Sequence, residues 1–169
     1  AYEYDALGNV LSVTQGDQVT RYAYDLLGRL VKVTAPDGSE TAYTHDALGN
    51  LIGETDPLGN TTTFSYTAES LLEKVTYANG AAQTLSYDLA GNVVAETDAE
   101  GSTKQYQYDK VNRLIAVVDK LGGKTTYTYD ALDNITKVTD ALRQVTSYTY
   151  DKNGNLTSET DALGNRVQY

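Results

Sequence analysis

Hydrophobic and polar residues alternate along this chain in short bursts. Runs of five or six residues rich in Thr, Tyr, Val and Leu, such as Thr125–Tyr129, are separated by small polar clusters built on Asp and Gly. Alternation with period two puts every second side chain on one face of an extended strand, and β-branched and aromatic residues favour that conformation. The Ala-Leu pairs could suggest helix, but each lies inside a four-residue turn and goes no further. Breaks every ten or so residues suit hairpins. The pattern predicts an all-β chain, an antiparallel meander of repeated two-stranded β-hairpins with about sixteen strands.

The breaks have turn chemistry. One unit contains two of them, Asp88-Leu-Ala-Gly91 and Asp98-Ala-Glu-Gly101. Asp at the first position and Gly at the fourth suit a type I turn followed by a left-handed residue, a common hairpin connection with a glycine bulge. The Asp carboxylate can accept a bond from the backbone N–H two residues on. The two prolines, Pro36 in Ala35–Gly38 and Pro57 in Asp56–Gly59, both occupy the second turn position, where proline presets the required φ. Asn112 and Asp133 stand in for Gly and tolerate the left-handed region. Ser70 and Arg143 tolerate it poorly, so altered or strained turns are expected there. Gln15-Gly16-Asp17-Gln18 reads as a shorter, two-residue turn led by Gly16.

The units repeat. A Tyr-x-Tyr-Asp signature returns, with variations, at Tyr4-Asp5, Tyr24-Asp25, His45-Asp46, Tyr66-Thr67, Tyr87-Asp88, Tyr108-Asp109, Tyr129-Asp130 and Tyr150-Asp151. The first step is 20 residues and each later one is 21. Of the 15 tyrosines, only Tyr77 falls outside the two Tyr positions. The candidate positions are structural: Tyr4, Asp5, Gly8, Tyr22, Tyr24, Asp25, Gly28, Gly38, Tyr43, Asp46, Gly49, Gly59, Tyr66, Tyr87, Asp88, Gly91, Gly101, Tyr106, Tyr108, Asp109, Gly122, Tyr127, Tyr129, Asp130, Tyr148, Tyr150, Asp151, Gly154 and Gly164. A fixed period in this range marks a repeat architecture in which each copy is stabilised by its neighbours.

Tyrosines two apart share a strand face, so stacked copies are expected to form tyrosine ladders. Leu30, Leu51, Val93, Leu114, Ile135 and Leu156 open the partner strands. They are expected opposite the preceding signature position, in pairs contributing about 0.2–1 kcal/mol each. The period raises a parity problem, because 21 is odd. With two like turns per copy, successive copies would show their tyrosines on opposite faces. If all share one face, which is the preferred reading, each copy needs a further bulge or two unlike turns. A strip of this kind twists, so an open, curved, spiralling sheet is expected, roughly 75 Å long at about 4.8 Å per strand.

Composition narrows the function. The net charge is −10, with 13 basic residues scattered singly, whereas nucleic-acid binding needs clustered Lys and Arg. The same balance discourages anionic membranes. The chain has no cysteine, which removes disulfides, zinc–thiolate sites and cysteine nucleophiles. There is no apolar run long enough for a transmembrane helix and no recognisable signal peptide. The chain opens inside one copy and closes on Tyr169, so residues 1–169 read as a single array of about eight 20–21-residue repeats taken from a longer one. Eight copies are expected to be too few to close on themselves. The end strands, at Tyr2–Asp5 and near Tyr169, would be unpaired edges prone to edge-to-edge self-association.

The signature resembles the RHS or YD-repeat family, whose consensus is Y-x-Y-D-x-x-G-R/N-L followed by a second D-x-x-G turn. It is met here by Tyr22-Ala-Tyr24-Asp25-Leu-Leu-Gly28-Arg29-Leu30 and by Tyr148-Thr-Tyr150-Asp151-Lys-Asn-Gly154-Asn155-Leu156, and the likeness covers the whole chain. The resemblance implies a spiralling β-sheet shell with a hollow interior. In bacterial polymorphic toxins and in the B and C subunits of insecticidal toxin complexes such a shell encloses a C-terminal toxin domain, and animal teneurins use a related one as an extracellular scaffold. It therefore implies a secreted or cell-surface parent and a non-catalytic structural segment that encapsulates or displays an effector, with neighbouring repeats and an enclosed C-terminal toxin domain as partners. The family also has an autoproteolytic segment with an Asp-Pro-x-Gly-Leu run followed by glycines. Asp56-Pro-Leu-Gly59 is followed instead by Asn60-Thr61-Thr62 and is read as an ordinary turn.

Other chemistry is weaker. His45, the only histidine, replaces a signature Tyr and reads as a ring in the aromatic row. No Gly-x-Ser-x-Gly elbow accompanies it. Phe64 is likewise explained by packing. The repeated aspartates could supply oxygen ligands for Ca²⁺, but turn capping accounts for them without a metal, and no cofactor is expected. Sequons at Asn60, Asn134 and Asn155 follow from turn asparagines meeting strand threonines. The alternative function is an extracellular carbohydrate-binding or adhesin module, since tyrosine faces can stack on sugars.

Overall fold

The computed structural model of residues 1–169 contains seventeen strands and no helix. Every pairing is antiparallel and the sheet is open. None of its elements is a helix long and apolar enough to cross a membrane. Strands outnumber the expected sixteen because the segments at both ends also pair.

The chain comprises two compact units, Ala1–Gln83 and Thr84–Tyr169. The first holds β1 (Tyr2–Tyr4), β2 (Val10–Gln15), β3 (Gln18–Tyr24), β4 (Leu30–Thr34), β5 (Glu40–His45), β6 (Leu51–Thr55), β7 (Thr61–Tyr66) and β8 (Leu72–Thr76). β9 (Ala82–Tyr87) carries the division at Gln83–Thr84. The second unit continues with β10 (Val93–Thr97), β11 (Thr103–Tyr108), β12 (Leu114–Val118), β13 (Lys124–Tyr129), β14 (Ile135–Thr139), β15 (Val145–Tyr150), β16 (Leu156–Thr160) and β17 (Arg166–Gln168). In each unit, strands pair with their neighbours in the chain.

Both turns of a copy are built alike. In the first, Gly28 N–H bonds the Asp25 carbonyl at 3.0 Å and Asp25 N–H bonds the Arg29 carbonyl at 2.9 Å. In the second, Gly38 bonds Ala35 at 2.9 Å and Ala35 bonds Ser39 at 2.8 Å. Gly28 and Gly38 have φ of 76° and 85°, the left-handed region that glycine enters freely. Asn112 and Asp133 take φ of 64° and 65°, as their tolerance predicts. Ser70 at 61° and Arg143 at 64° keep the same backbone bonds, so those turns are strained and not altered.

Register resolves the parity problem. Tyr108 lies opposite Leu114, but Gln107 lies opposite Ala116, so Ile115 is an extra residue on β12. The same irregularity recurs between β1 and β2, β3 and β4, β5 and β6, β7 and β8, β9 and β10, β13 and β14, and β15 and β16. Two like turns plus one bulge per copy restore an even count, so the tyrosines share a face. The ladder can be followed residue by residue. Tyr22 opposes Val33, Val33 opposes Thr41, and Thr41 is two before Tyr43. In the second unit Tyr106, Val117 and Thr125 lead to Tyr127 in the same way.

The first copy is shorter because Gln15 pairs directly with Gln18 across Gly16 and Asp17. The two-residue loop removes three loop residues and adds two paired ones, which gives 20 instead of 21. Gly16 has φ of 59°, as a turn led by glycine requires.

Burial is shallow. Ala116, Ser12 and Ser158 are the buried side chains, at 2%, 5% and 1% exposure. With buried Gly53 they occupy one position of the repeat, just after the bulge and on the face away from the tyrosines. At Gly53 itself there is little room for a side chain, because a Cβ there would sit 2.6 Å from Thr44 Oγ1.

Candidate functional site

The candidate site is the repeat signature itself, a row of capped turns with rows of aromatic rings alongside. Nearly every first turn starts with an aspartate whose carboxylate closes the loop. Asp25 Oδ1 accepts from Leu27 N–H and Arg29 N–H, both at 2.9 Å. Asp5, Asp46, Asp88, Asp109, Asp130 and Asp151 do the same in their copies.

The second carboxylate oxygen is also taken. Asn9, Asn50, Asn92, Asn134 and Asn155 donate to it from four residues on, and at Asp25 and Asp109 the donors are the Nε atoms of Arg29 and Arg113, both at 2.7 Å. Sequence reading missed this second contact. The signal was the Asn or Arg four residues after each capping Asp.

These contacts make the carboxyl groups stronger acids. The Asn side chains, helped by backbone N–H groups, hold Asp5, Asp46, Asp88, Asp130 and Asp151 below the usual carboxylate range. For Asp25 and Asp109 the backbone N–H of Arg29 and Arg113 leads, and the guanidinium adds to it. Each pKa falls because the charged form is the acceptor.

Neighbouring copies are tied by side chains. Arg29 Nη1 donates to the Asp46 carbonyl at 2.7 Å. Arg113 Nη1 reaches Asp133 Oδ1 at 2.7 Å, and its guanidinium lies 4.8 Å from the Tyr129 ring centre, a cation–π distance. Asn50 Nδ2 reaches Ser70 Oγ at 3.2 Å, and Asn92 Nδ2 reaches Asn112 Oδ1 at 3.0 Å.

The second tyrosine of the signature makes the most regular tie. The hydroxyls of Tyr24, Tyr66, Tyr129 and Tyr150 donate to the carbonyls of Val10, Leu51, Leu114 and Ile135, at 3.0, 2.7, 2.7 and 2.9 Å. Each bond crosses from one copy to the one before it. Burial pushes the Tyr129 phenol up. The expected pairs across the first hairpin also form: Tyr24–Leu30, His45–Leu51, Tyr87–Val93, Tyr108–Leu114, Tyr129–Ile135 and Tyr150–Leu156.

The first tyrosine of the signature behaves differently. Tyr106 donates to Glu96 Oε2 at 3.0 Å and lies under Lys104 Nζ at 5.2 Å. The ladder face therefore mixes rings with a few charges. Tyr77, the tyrosine out of register, heads a second turn and donates to Gln83 Oε1 at 2.8 Å.

His45 stands in the second-tyrosine row and its Nδ1 is buried without a hydrogen-bond partner. The adjacent Asp46 spends both carboxylate oxygens on the backbone N–H groups of Leu48 and Asn50 and on the Asn50 side-chain amide. A histidine base needs a carboxylate to orient it, and this pair lacks that bond. No three acidic or histidine side chains converge as a metal-binding group. The sequon residues Asn60, Asn134 and Asn155 each engage Nδ2 in the aspartate contact of their own turn.

The RHS Repeat family profile matches the sequence in six windows, residues 4–40, 24–61 and 45–82, which overlap, and residues 87–124, 108–145 and 129–166, which overlap in turn. The chain belongs to the RHS repeat family. Each window spans one signature and the next. Comparison with curated proteins finds no match.

Among solved structures, TcdB2–TccC3–Cdc42 aligns with this RHS chain at a TM-score of 0.73 and 18% identity, over 94% of this chain and 11% of that one. TcdB2–TccC3 aligns at 0.74 and 17%, over 98% and 12%. The Photorhabdus luminescens Tc holotoxin pore aligns at 0.61 and 18%, over 95% and 12%. At such identities the likeness is one of fold, and the RHS chain spans only about a tenth of the length of these structures.

Proposed function

We propose that this chain is a structural, non-catalytic stretch of an RHS wall belonging to a longer array, and that the wall of the parent protein encloses or displays a C-terminal toxin or effector domain. Its partners are neighbouring RHS copies and that enclosed domain, and the parent is secreted or presented at the cell surface. The observation that carries the reading is the repeated tie between copies. Aspartate caps, Arg and Asn bridges and tyrosine-to-carbonyl bonds spend the conspicuous polar groups on holding the sheet together. The match to a small part of much longer TcdB2–TccC3 chains supports a segment that works as part of a larger object.

The test is electron microscopy of the full parent protein, combined with protease treatment. A hollow particle that shields its downstream domain until the wall is disrupted is expected. A solid particle, or a downstream domain digested as fast as the isolated domain, would reject the proposal.

One observation favours a second reading, glycan binding. Tyr22, Tyr43, Tyr127 and Tyr148 are only half-buried, and their hydroxyls have no hydrogen-bond partner within the chain, in contrast to Tyr24 and Tyr129. A glycan array probed with the intact chain decides it, since an array without signal removes this reading.

A further inference from the structure

We propose that the copy spanning Thr67–Ala81 is where the interior of this array, away from the exposed end strands β1 and β17, opens first, and that the Glu69–Ser70 bond is its primary site of proteolytic entry. This weak point exists whatever the wall encloses. The first turn here lacks the capping aspartate, the Asn or Arg four residues on, and the glycine. Every other first turn keeps the first two, and only those at Asn112 and Asp133 also lack the glycine.

The capping aspartate is replaced by Thr67. Its hydroxyl receives Glu69 N–H at 3.2 Å and Leu71 N–H at 3.4 Å, whereas Asp5 receives its two at 2.9 and 2.8 Å. A hydroxyl caps more weakly than a charged carboxylate. The fourth residue on is Leu71, which cannot reach back as Asn and Arg do elsewhere. The glycine is replaced by Ser70, held at φ 61°, a conformation that disfavours most residues with a Cβ and that Asn and Asp tolerate better than Ser.

The second turn of the same copy starts with Tyr77 and takes its cap from Asn79 Oδ1 to Ala81 N–H at 3.0 Å, as the Ala35 turn takes its cap from Asp37 Oδ1 to Ser39 N–H at 2.9 Å. One contact opposes the trend, the Asn50 Nδ2 bond to Ser70 Oγ at 3.2 Å. The backbone bonds of the turn are intact, Thr67 N–H to Leu71 O at 2.8 Å and Ser70 N–H to Thr67 O at 3.0 Å. The turn is therefore formed but less defended than its counterparts. Local opening starts where such defences are fewest.

The chain contains its own control. Glu100 is exposed, like Glu69, and is likewise the third residue of a turn. Its turn keeps the aspartate and the glycine: Asp98 Oδ1 receives Glu100 N–H at 3.1 Å and Ser102 N–H at 2.8 Å, and Gly101 sits at φ 83°.

The experiment is limited digestion of the intact chain with a glutamate-specific endopeptidase, with cuts read by mass spectrometry. Rates are normalised to unstructured peptides carrying the same two turn sequences. Cutting after Glu69 is expected to exceed cutting after Glu100 by about tenfold, the factor that a difference of about 1.4 kcal/mol carries. The double variant Thr67→Asp with Ser70→Gly, which restores residues used by the other copies, is expected to erase the difference. Equal or faster cutting after Glu100, or an unchanged rate after Glu69 in the double variant, overturns the proposal. Hydrogen exchange on the unmodified chain reads the same opening without any variant. Amides of Glu69 and Leu71 should exchange faster than those of Glu100 and Ser102, and equal protection also overturns it.

Discussion

The Tyr129 hydroxyl donates to the Leu114 carbonyl oxygen at 2.7 Å, and Leu114 is itself the residue opposite Tyr108, which holds the same signature position one copy earlier. The bond thus ties β13 to β12 at the point where β12 meets β11. Tyr150 and Ile135 repeat the arrangement one copy later.

Removing this hydroxyl should weaken the array where removing its neighbour does not. Tyr129→Phe is expected to lower unfolding stability by about 1 kcal/mol, the typical net worth of one such bond. Tyr127→Phe, whose hydroxyl has no partner, is expected to be close to neutral. Urea denaturation of the two variants gives the comparison, and equal losses would remove the special role of the second tyrosine row.

Gly53 tests the crowding behind the bulge. Gly53→Ala places a Cβ 2.6 Å from Thr44 Oγ1, so a loss of about 1–3 kcal/mol is expected, the usual cost of overpacking. Thr44→Ala in the same chain removes the atom that is struck and should recover most of the loss. A double-mutant cycle by chemical denaturation measures this coupling, and additive effects would contradict it.

Arg143 tests backbone strain. It holds φ 64° in a turn whose backbone bonds are intact. Arg143→Gly should raise stability by about 1 kcal/mol by removing the Cβ conflict. Arg143→Ala keeps the Cβ and should bring no gain. Thermal unfolding of both variants separates strain from loss of charge.

Acid should loosen the turns. The first-turn aspartates titrate below their ordinary range in the folded chain, so their capping energy is present above the unfolded value of about 3.9 and is lost as pH falls through the lower folded values. Stability should be flat from neutral pH down to about pH 5 and should fall steeply below about pH 4. Melting curves across that range check the sign. An Asp88→Asn chain should show a shallower acid slope, because one titrating cap has been removed.

Much of this architecture was legible from spacing alone. The strands, the two turns per copy, the proline positions and the tyrosine–leucine pairs follow from period, turn chemistry and alternation. The bulge was legible only as an alternative, because an odd period says that a residue must be absorbed without saying where. It falls at Ile115 and its equivalents, beside the positions occupied by Gly53 and Ala116. The ties between copies were not read. A tyrosine at a fixed position looks the same whether its hydroxyl meets water or a carbonyl 15 residues back. The turn at Ser70 was read as altered or strained, and backbone bonding shows that strain is what remains.

The extra residue opposite each signature carries a consequence for how such a chain can grow. Gain or loss of a whole copy, as in unequal recombination, leaves every ring on its original side, because the bulge travels with the copy. An in-frame slip of one codon inside a strand would reverse the orientation of all side chains up to the next turn. The array is therefore free to vary in its number of copies and closely held in the length of each one.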